Sequence, residues 1–326
     1  MQNGLGIAGA IAPHSAHELP LYIVFNVASG SGDGPTNQRV MQEILREAGR
    51  EHEFFLVRDP RELAANAERA AQKAARNGGA VIVAGGDGTI NTVAQATLHT
   101  SQPFGIVPQG TFNYTSRANG IPLETAEATR ALLSATPTRM QVGVVNDRVF
   151  LVNASLGLYP QLLQDRETHK RQFGRYRSVA FASAISTILR GNGLLNLELE
   201  HDSVRESVRT PSLFVGNNAL QLEQTGLPEA EVIGQQQLAG VLLRASNSRA
   251  LLGLMLRGAM GKLDQAEQLR RFPFNSMHVR PALRGVRKLK VALDGEIHWM
   301  KPPLVFRVAE QPLWLLTPHP TPAESA

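Results

Sequence analysis

The first third of the chain alternates short apolar runs with longer stretches whose apolar positions fall three and four residues apart. Leu21–Val27 reads as a strand ending in the loop Ala28-Ser29-Gly30-Ser31-Gly32-Asp33-Gly34. Thr36–Gly49 has helical spacing at Val40, Ile44, Leu45 and Ala48 and closes on a glycine. Glu53–Val57 is a short strand, Pro60–Asn77 an alanine-rich helix stopped by Gly78-Gly79, and Ala80–Ala84 a wholly apolar strand. The helix-compatible segment Ile90–Leu98 and the strand Phe104–Val107 follow. Strands separated by helices of this length make βαβ units, which predicts an α/β domain built on a parallel sheet with helices on both faces.

Past about Thr138 the period shortens. Alternating stretches fall at Val142–Val145, Arg148–Asn153, Leu195–Glu200, Val204–Val208, Ser212–Val215, Leu238–Arg244, Asn275–Pro281, Lys288–Leu293 and Leu304–Val308. Helical segments interrupt them at Ser178–Arg190 and Arg249–Leu263. This predicts a mainly antiparallel, β-rich second domain. The expected division is an N-terminal extension over 1–18, an α/β domain over 19–138, the β-rich domain over 139–303 and a proline-rich disordered tail over 319–326.

The glycine-rich turns fall at strand C-terminal ends, where open α/β sheets bind ligands. In Gly85-Gly86-Asp87-Gly88-Thr89 an apolar strand runs into a tight turn and a helix start, the layout that presents backbone N–H groups to phosphate oxygens. No Gly-Lys-Ser/Thr follows, and the spacing is not that of the dinucleotide fingerprint. Taken alone, the stretch also reads as a structural strand-to-helix turn, Ser29-Gly30-Ser31-Gly32 as a surface loop, and Asp294-Gly295-Glu296 as a hairpin.

Composition narrows the chemistry. The chain has 326 residues, 43% of them hydrophobic, and no cysteine, which removes disulfides, thiolate zinc sites and cysteine nucleophiles. The nine histidines show no metal spacing, and His14/His17 reads as incidental. No apolar run reaches the roughly 20 residues of a membrane-spanning helix, and the start lacks the basic segment of a signal peptide. The formal net charge is +5. Arg166, Lys170, Arg171, Arg175 and Arg177, interleaved with His169, Phe173 and Tyr176, form a solvated basic stretch or a lip drawn to anionic headgroups. Arg270, Arg271, Arg280, Arg284, Arg287, Lys288 and Lys290 extend it; no nucleic-acid module is recognised.

Four ordered blocks carry a family resemblance: Asn26-Val27-Ala28-Ser29-Gly30, Gly85–Thr89, Pro108-Gln109-Gly110-Thr111-Phe112-Asn113 and Leu293-Asp294-Gly295-Glu296. Their order and spacing resemble the diacylglycerol kinase catalytic-domain family, which includes sphingosine, ceramide and bacterial lipid kinases. Phe150–Pro160 and Phe214-Val215-Gly216-Asn217-Asn218 resemble blocks of a bacterial branch. NAD kinases carry similar loops, so an NAD-kinase-like enzyme is a competing reading, as is a weakened lipid- or nucleotide-binding protein on the same scaffold. The resemblance implies a β-sandwich-like second domain and a final strand, about 304–318, returning to the first. It places ATP on Asn26, Ser29, Gly30, Gly85, Gly86, Asp87, Gly88, Thr89, Ile90, Asn91 and Thr111, with Mg2+ or the γ-phosphate oriented by Asp87. Glu296 is the favoured proton acceptor and Asp294 the next. The implied acceptor is a hydroxyl of diacylglycerol or a related lipid, met at an anionic membrane surface by a cytoplasmic protein, peripheral at the inner face; a homodimer is left open.

Several acids usual in the family are absent. Thr92 stands where a glutamate is usual, Tyr114 replaces an aspartate, and Gln141 replaces a frequent acid. Ile233-Gly234-Gln235-Gln236-Gln237-Leu238 lacks the carboxylates that bind a structural magnesium in several relatives.

Overall fold

The structure is a computed structural model that describes residues 19–29, 34–157, 194–224, 228–244, 268–283 and 285–318. The N-terminal extension, Gly30 and the rest of its loop to Asp33, the basic stretch Arg166–Arg177, the two expected helices Ser178–Arg190 and Arg249–Leu263, Arg284 and the tail lie outside the described residues.

The first sheet contains β1 (Leu21–Asn26), β2 (His52–Val57), β3 (Ala80–Gly85), β4 (Pro103–Pro108), β5 (Thr136–Met140) and the last strand, β18 (Leu313–Thr317), in the order β2-β1-β3-β4-β18-β5. All neighbours are parallel except β5, which runs antiparallel to β18. Every residue of β3 and β4 is buried, as a sheet covered on both faces requires. The helices are α1 (Gly34–Glu47), α2 (Leu63–Asn77), α3 (Asp87–Thr97), α4 (Tyr114–Ala118) and α5 (Thr125–Ser134). α1 packs with α5 and α2 with α3, giving a helical layer on each face. The helix expected from Pro60 begins instead at Leu63, because Asp59 and Glu62 form a capping box around a separate 3-10 turn, Pro60–Glu62.

The second region is two antiparallel sheets. One holds β6 (Gly143–Val145), β7 (Arg148–Phe150), β9 (Leu195–His201), β10 (Val204–Thr210), β14 (Ser276–Pro281) and β17 (Leu304–Val308), ordered β10-β9-β14-β17-β6-β7. The other holds β8 (Asn153–Gly157), β11 (Ser212–Gly216), β12 (Leu238–Leu243), β13 (Leu269–Phe274), β15 (Leu289–Leu293) and β16 (Glu296–Met300), ordered β13-β12-β11-β8-β15-β16. Leu199, Met277 and Phe306 from one sheet and Leu156, Val215 and Phe274 from the other share one buried core. A short helix, α6 (Ala219–Gln224), covers part of the outer face of the second sheet through Leu222.

Two strand expectations need correction. Of the stretch 304–318, only β18 joins the first sheet, while β17 pairs with β14 and β6 in the second region. The polar segment Thr136–Met140, within which the domain boundary was expected at 138, is instead a whole strand, the edge strand β5 of the first sheet. An edge strand tolerates proline and needs no apolar alternation, so the pattern hides it.

Candidate active site

β3 delivers the chain to Gly85, and α3 begins two residues later. Gly86 caps the helix in extended conformation with no side-chain hydrogen bond, which leaves first-turn amides pointing outward at the positive end of the helix dipole. Ile90 does not share that role: its side chain is fully buried and its amide donates to the Gly86 carbonyl at 2.9 Å. At the end of β1, Asn26 Nδ2 donates to Thr89 Oγ1 at 2.8 Å, while its Oδ1 accepts from the Ala28 amide at 3.1 Å. The Ser29 amide in turn reaches the Asn26 carbonyl at 3.1 Å. One asparagine thus ties the first loop to the second.

The loop after β4 closes on the same point. The Gln109 amide donates to the Gly85 carbonyl at 2.9 Å. A Cβ on Gly110 would lie 2.8 Å from Asn113 Oδ1 and 3.0 Å from the Gly86 Cα, so this close crossing of two loops needs a glycine. Asn113, in the left-handed region at φ 51°, folds its side chain back onto Gly110 and donates its amide to Asp87 Oδ2 at 3.1 Å. Thr111 is exposed beside it, and Phe112 lies stacked on Tyr114 with ring centroids 5.9 Å apart.

Burial pushes the Asp87 carboxyl's pKa up, against the opposing pull of the Asn113, Tyr114 and Asp87 amides. Its second oxygen, Oδ1, is enclosed without a hydrogen-bond partner. A buried carboxylate oxygen lacking a donor suits a hard cation, so Asp87 fits magnesium.

The hairpin between β15 and β16 brings in the other carboxylates. Leu293 pairs with Glu296 across a two-residue turn, with Asp294 at φ 46° and Gly295 at φ 90°, the type I′ geometry that Asp-Gly favours. Asp294 is half-buried, and both of its carboxylate oxygens are already engaged. Its Oδ2 accepts from the Leu151 amide and Asn91 Nδ2, each at 2.7 Å, and its Oδ1 from the Val152 and Asn153 amides, each at 2.9 Å. Burial raises this carboxyl's pKa and the four donors act against the rise. Glu296 is exposed, and its carboxylate lies over Gly88: a Cβ built there would strike Oε1. His298, on the same face of β16, has its pKa lowered by burial against the pull of Glu296.

α3 also grips the edge of the second region. Asn91 Nδ2 donates to the Val149 carbonyl at 3.1 Å; Gln95, one turn on, accepts the Val149 amide at 2.9 Å and donates to the Asp147 carbonyl at 3.2 Å. These amides stand in for the missing neighbour of edge strand β7. The structure therefore brings together Asn26, Ser29, Gly85–Thr89, Thr111 and Glu296, while Asn91, Ile90 and Asp294 hold the frame. Sequence reasoning overlooked the bridging roles of Asn113 and Gln95; an Asn after a Gly-Thr turn, suited to positive φ, was the available sign of the first.

Residues 20–145 match the diacylglycerol kinase catalytic domain. A protein of Pseudomonas aeruginosa named "probable lipid kinase YegS-like" is 39% identical over 137 residues, covering 41% of this chain and 44% of that one. A diacylglycerol kinase of Staphylococcus carnosus is 26% identical over 156 residues, 46% of this chain and 49% of that protein. The chain spans about half the length of the curated relatives it matches. In fold, a solved structure titled as a diacylglycerol kinase of Bacillus anthracis superposes with a TM-score of 0.70 at 19% identity, covering 93% of this chain and 98% of that one.

Proposed function

We propose, from the match of residues 20–145 to the diacylglycerol kinase catalytic domain, that the protein is an ATP-dependent kinase of a lipid hydroxyl, with diacylglycerol or a related lipid as acceptor. The observation that carries this reading is the Glu296 carboxylate lying over Gly88, at the helix start that also holds Asp87. A general base and a phosphate cradle from opposite domains meet there. The loops after β1, β3 and β4 bind the triphosphate through backbone amides, with Asn26 and Asn113 fixing their relative positions. Magnesium, held on Asp87, would neutralise charge on the phosphate oxygens.

The acceptor oxygen attacks the γ-phosphorus as the bond to the β-phosphate oxygen breaks and ADP departs. Glu296 takes the hydroxyl proton. Asp294, with both oxygens engaged, positions the hairpin and leaves proton transfer to Glu296. We place the protein at an anionic membrane surface during turnover, supported by the lipid acceptor and the chain's positive charge.

The test is transfer of label from γ-labelled ATP to a lipid panel with magnesium. Label should appear in one lipid class and fall by about 100-fold or more in Glu296→Gln, the range of general-base effects. Retained ATP binding with no transfer to any lipid, or label in NADP, would refute it.

A further inference from the structure

Gln141 sits in the crossover between the first sheet and the second region, immediately after β5. Every hydrogen-bonding position of its side-chain amide is filled. Nε2 donates to Asn217 Oδ1 and to the Gln237 carbonyl, each at 2.9 Å. Oε1 accepts from the Gly234 amide at 3.2 Å and the Gln236 amide at 3.1 Å. The orientation of the group is fixed by its main-chain partners, because a carbonyl can only accept and a peptide N–H can only donate. Asn217 is fixed in the same way: its Nδ2 donates to the carbonyls of Gln141 at 3.3 Å and Leu151 at 3.1 Å, which turns Oδ1 toward Gln141.

The resemblance implies a structural magnesium in this turn, and the residues present do not fit one. Residues 233–238 contain no carboxylate. The two oxygens a cation would draw on, Asn217 Oδ1 and the Gln237 carbonyl, already face N–H donors. We infer that the Gln141 amide replaces the cation in this chain: its two N–H bonds bridge the oxygens that an ion would bridge, so the joint between the domains is clasped without metal. The clasp continues inward, since Leu151 offers its carbonyl to Asn217 and its amide to Asp294. This inference stands apart from the proposed activity.

Gln141→Glu gives the sharpest test. The glutamate keeps an acceptor for the Gly234 and Gln236 amides but sets a second oxygen against Asn217 Oδ1 and the Gln237 carbonyl. Three oxygens with no hydrogen between them form a partial cage for a hard cation. Melting is measured without nucleotide, in chelator and in excess magnesium, on an Asp87→Asn background so that the phosphate loop contributes no cation effect. With Gln141 in place the midpoint should be the same in both media, and mass spectrometry should find no stoichiometric magnesium. Gln141→Glu should melt roughly 5 °C lower in chelator and recover most of that in magnesium, while Gln141→Met falls without recovering. A chelator-sensitive midpoint or bound magnesium with Gln141 in place would overturn the inference, whether or not the glutamate variant folds. So would a Gln141→Glu midpoint indifferent to magnesium.

Discussion

Replacing Asp294 by Asn tests whether this carboxylate is a frame member or a proton acceptor. The change keeps shape and removes one acceptor. Leu151 and Asn91 donate to one oxygen and Val152 and Asn153 to the other. Whichever way an asparagine is placed, its NH2 faces two donors, so two hydrogen bonds are lost and two donors are stranded. A hydrogen bond to a charged group contributes about 1.5–3 kcal/mol, so the gross loss is about 3–6 kcal/mol. Removing a carboxylate that burial disfavours returns part of this, leaving a net loss of about 2–4 kcal/mol.

Urea unfolding at neutral pH measures that loss. A double-mutant cycle with Asn91→Ala should show a coupling of about 1 kcal/mol, as expected for residues sharing one network. Because the hairpin carries Glu296, Asp294→Asn should lose activity together with stability, whereas Glu296→Gln should lose activity alone. A variant as stable as the parent, with kcat reduced as far as in Glu296→Gln, would mean that Asp294 takes the proton and that the clasp has been misread.

Gly88→Ala places a methyl group where Glu296 Oε1 lies, and the end of that flexible side chain must swing away. Activity should fall about 10–100-fold, in keeping with a misplaced general base, while the melting midpoint stays within about 2 °C; an active variant would place the base elsewhere. Gly110→Ala meets both Asn113 Oδ1, which its own hydrogen bonds to Gly110 hold in place, and the backbone of Gly86, so both stability and ATP affinity should drop, as calorimetry and melting would show. For Asp87, burial raises the folded-state pKa, so above that pKa the ionised group costs folding free energy. Asp87→Asn should therefore melt above the parent at pH 7 with no kinase activity, and the gap should close as pH falls toward about 4, where the unfolded aspartate also protonates. An unchanged or lower midpoint at pH 7 would count against that burial cost.

Elements announced by their own side chains were legible in the sequence. β17 was expected at Leu304–Val308 and is found there, because alternation of apolar residues is local information. The strand, turn and helix start at Gly85–Thr89 were readable for the same reason, since glycines closing an apolar run mark a tight turn by themselves. β5 was not: an edge strand is specified by the neighbour it pairs with, β18, which arrives more than 170 residues later. The roles within Asp294-Gly295-Glu296 were hidden in the same way. The turn is local, but the donors that engage Asp294 come from Leu151, Val152 and Asn153, and the glycine beneath Glu296 comes from α3. Two carboxylates two residues apart thus have opposite surroundings, one held by four donors and one exposed over Gly88. Gln141 extends the point to an apparent loss. As a letter it marks a missing acid; with Asn217 and the 233–237 turn around it, its amide completes four hydrogen bonds that a carboxylate without a cation could not. The absent acids at the crossover therefore bear on how the domains are joined, while the two carboxylates proposed to carry the chemistry, Asp87 and Glu296, remain.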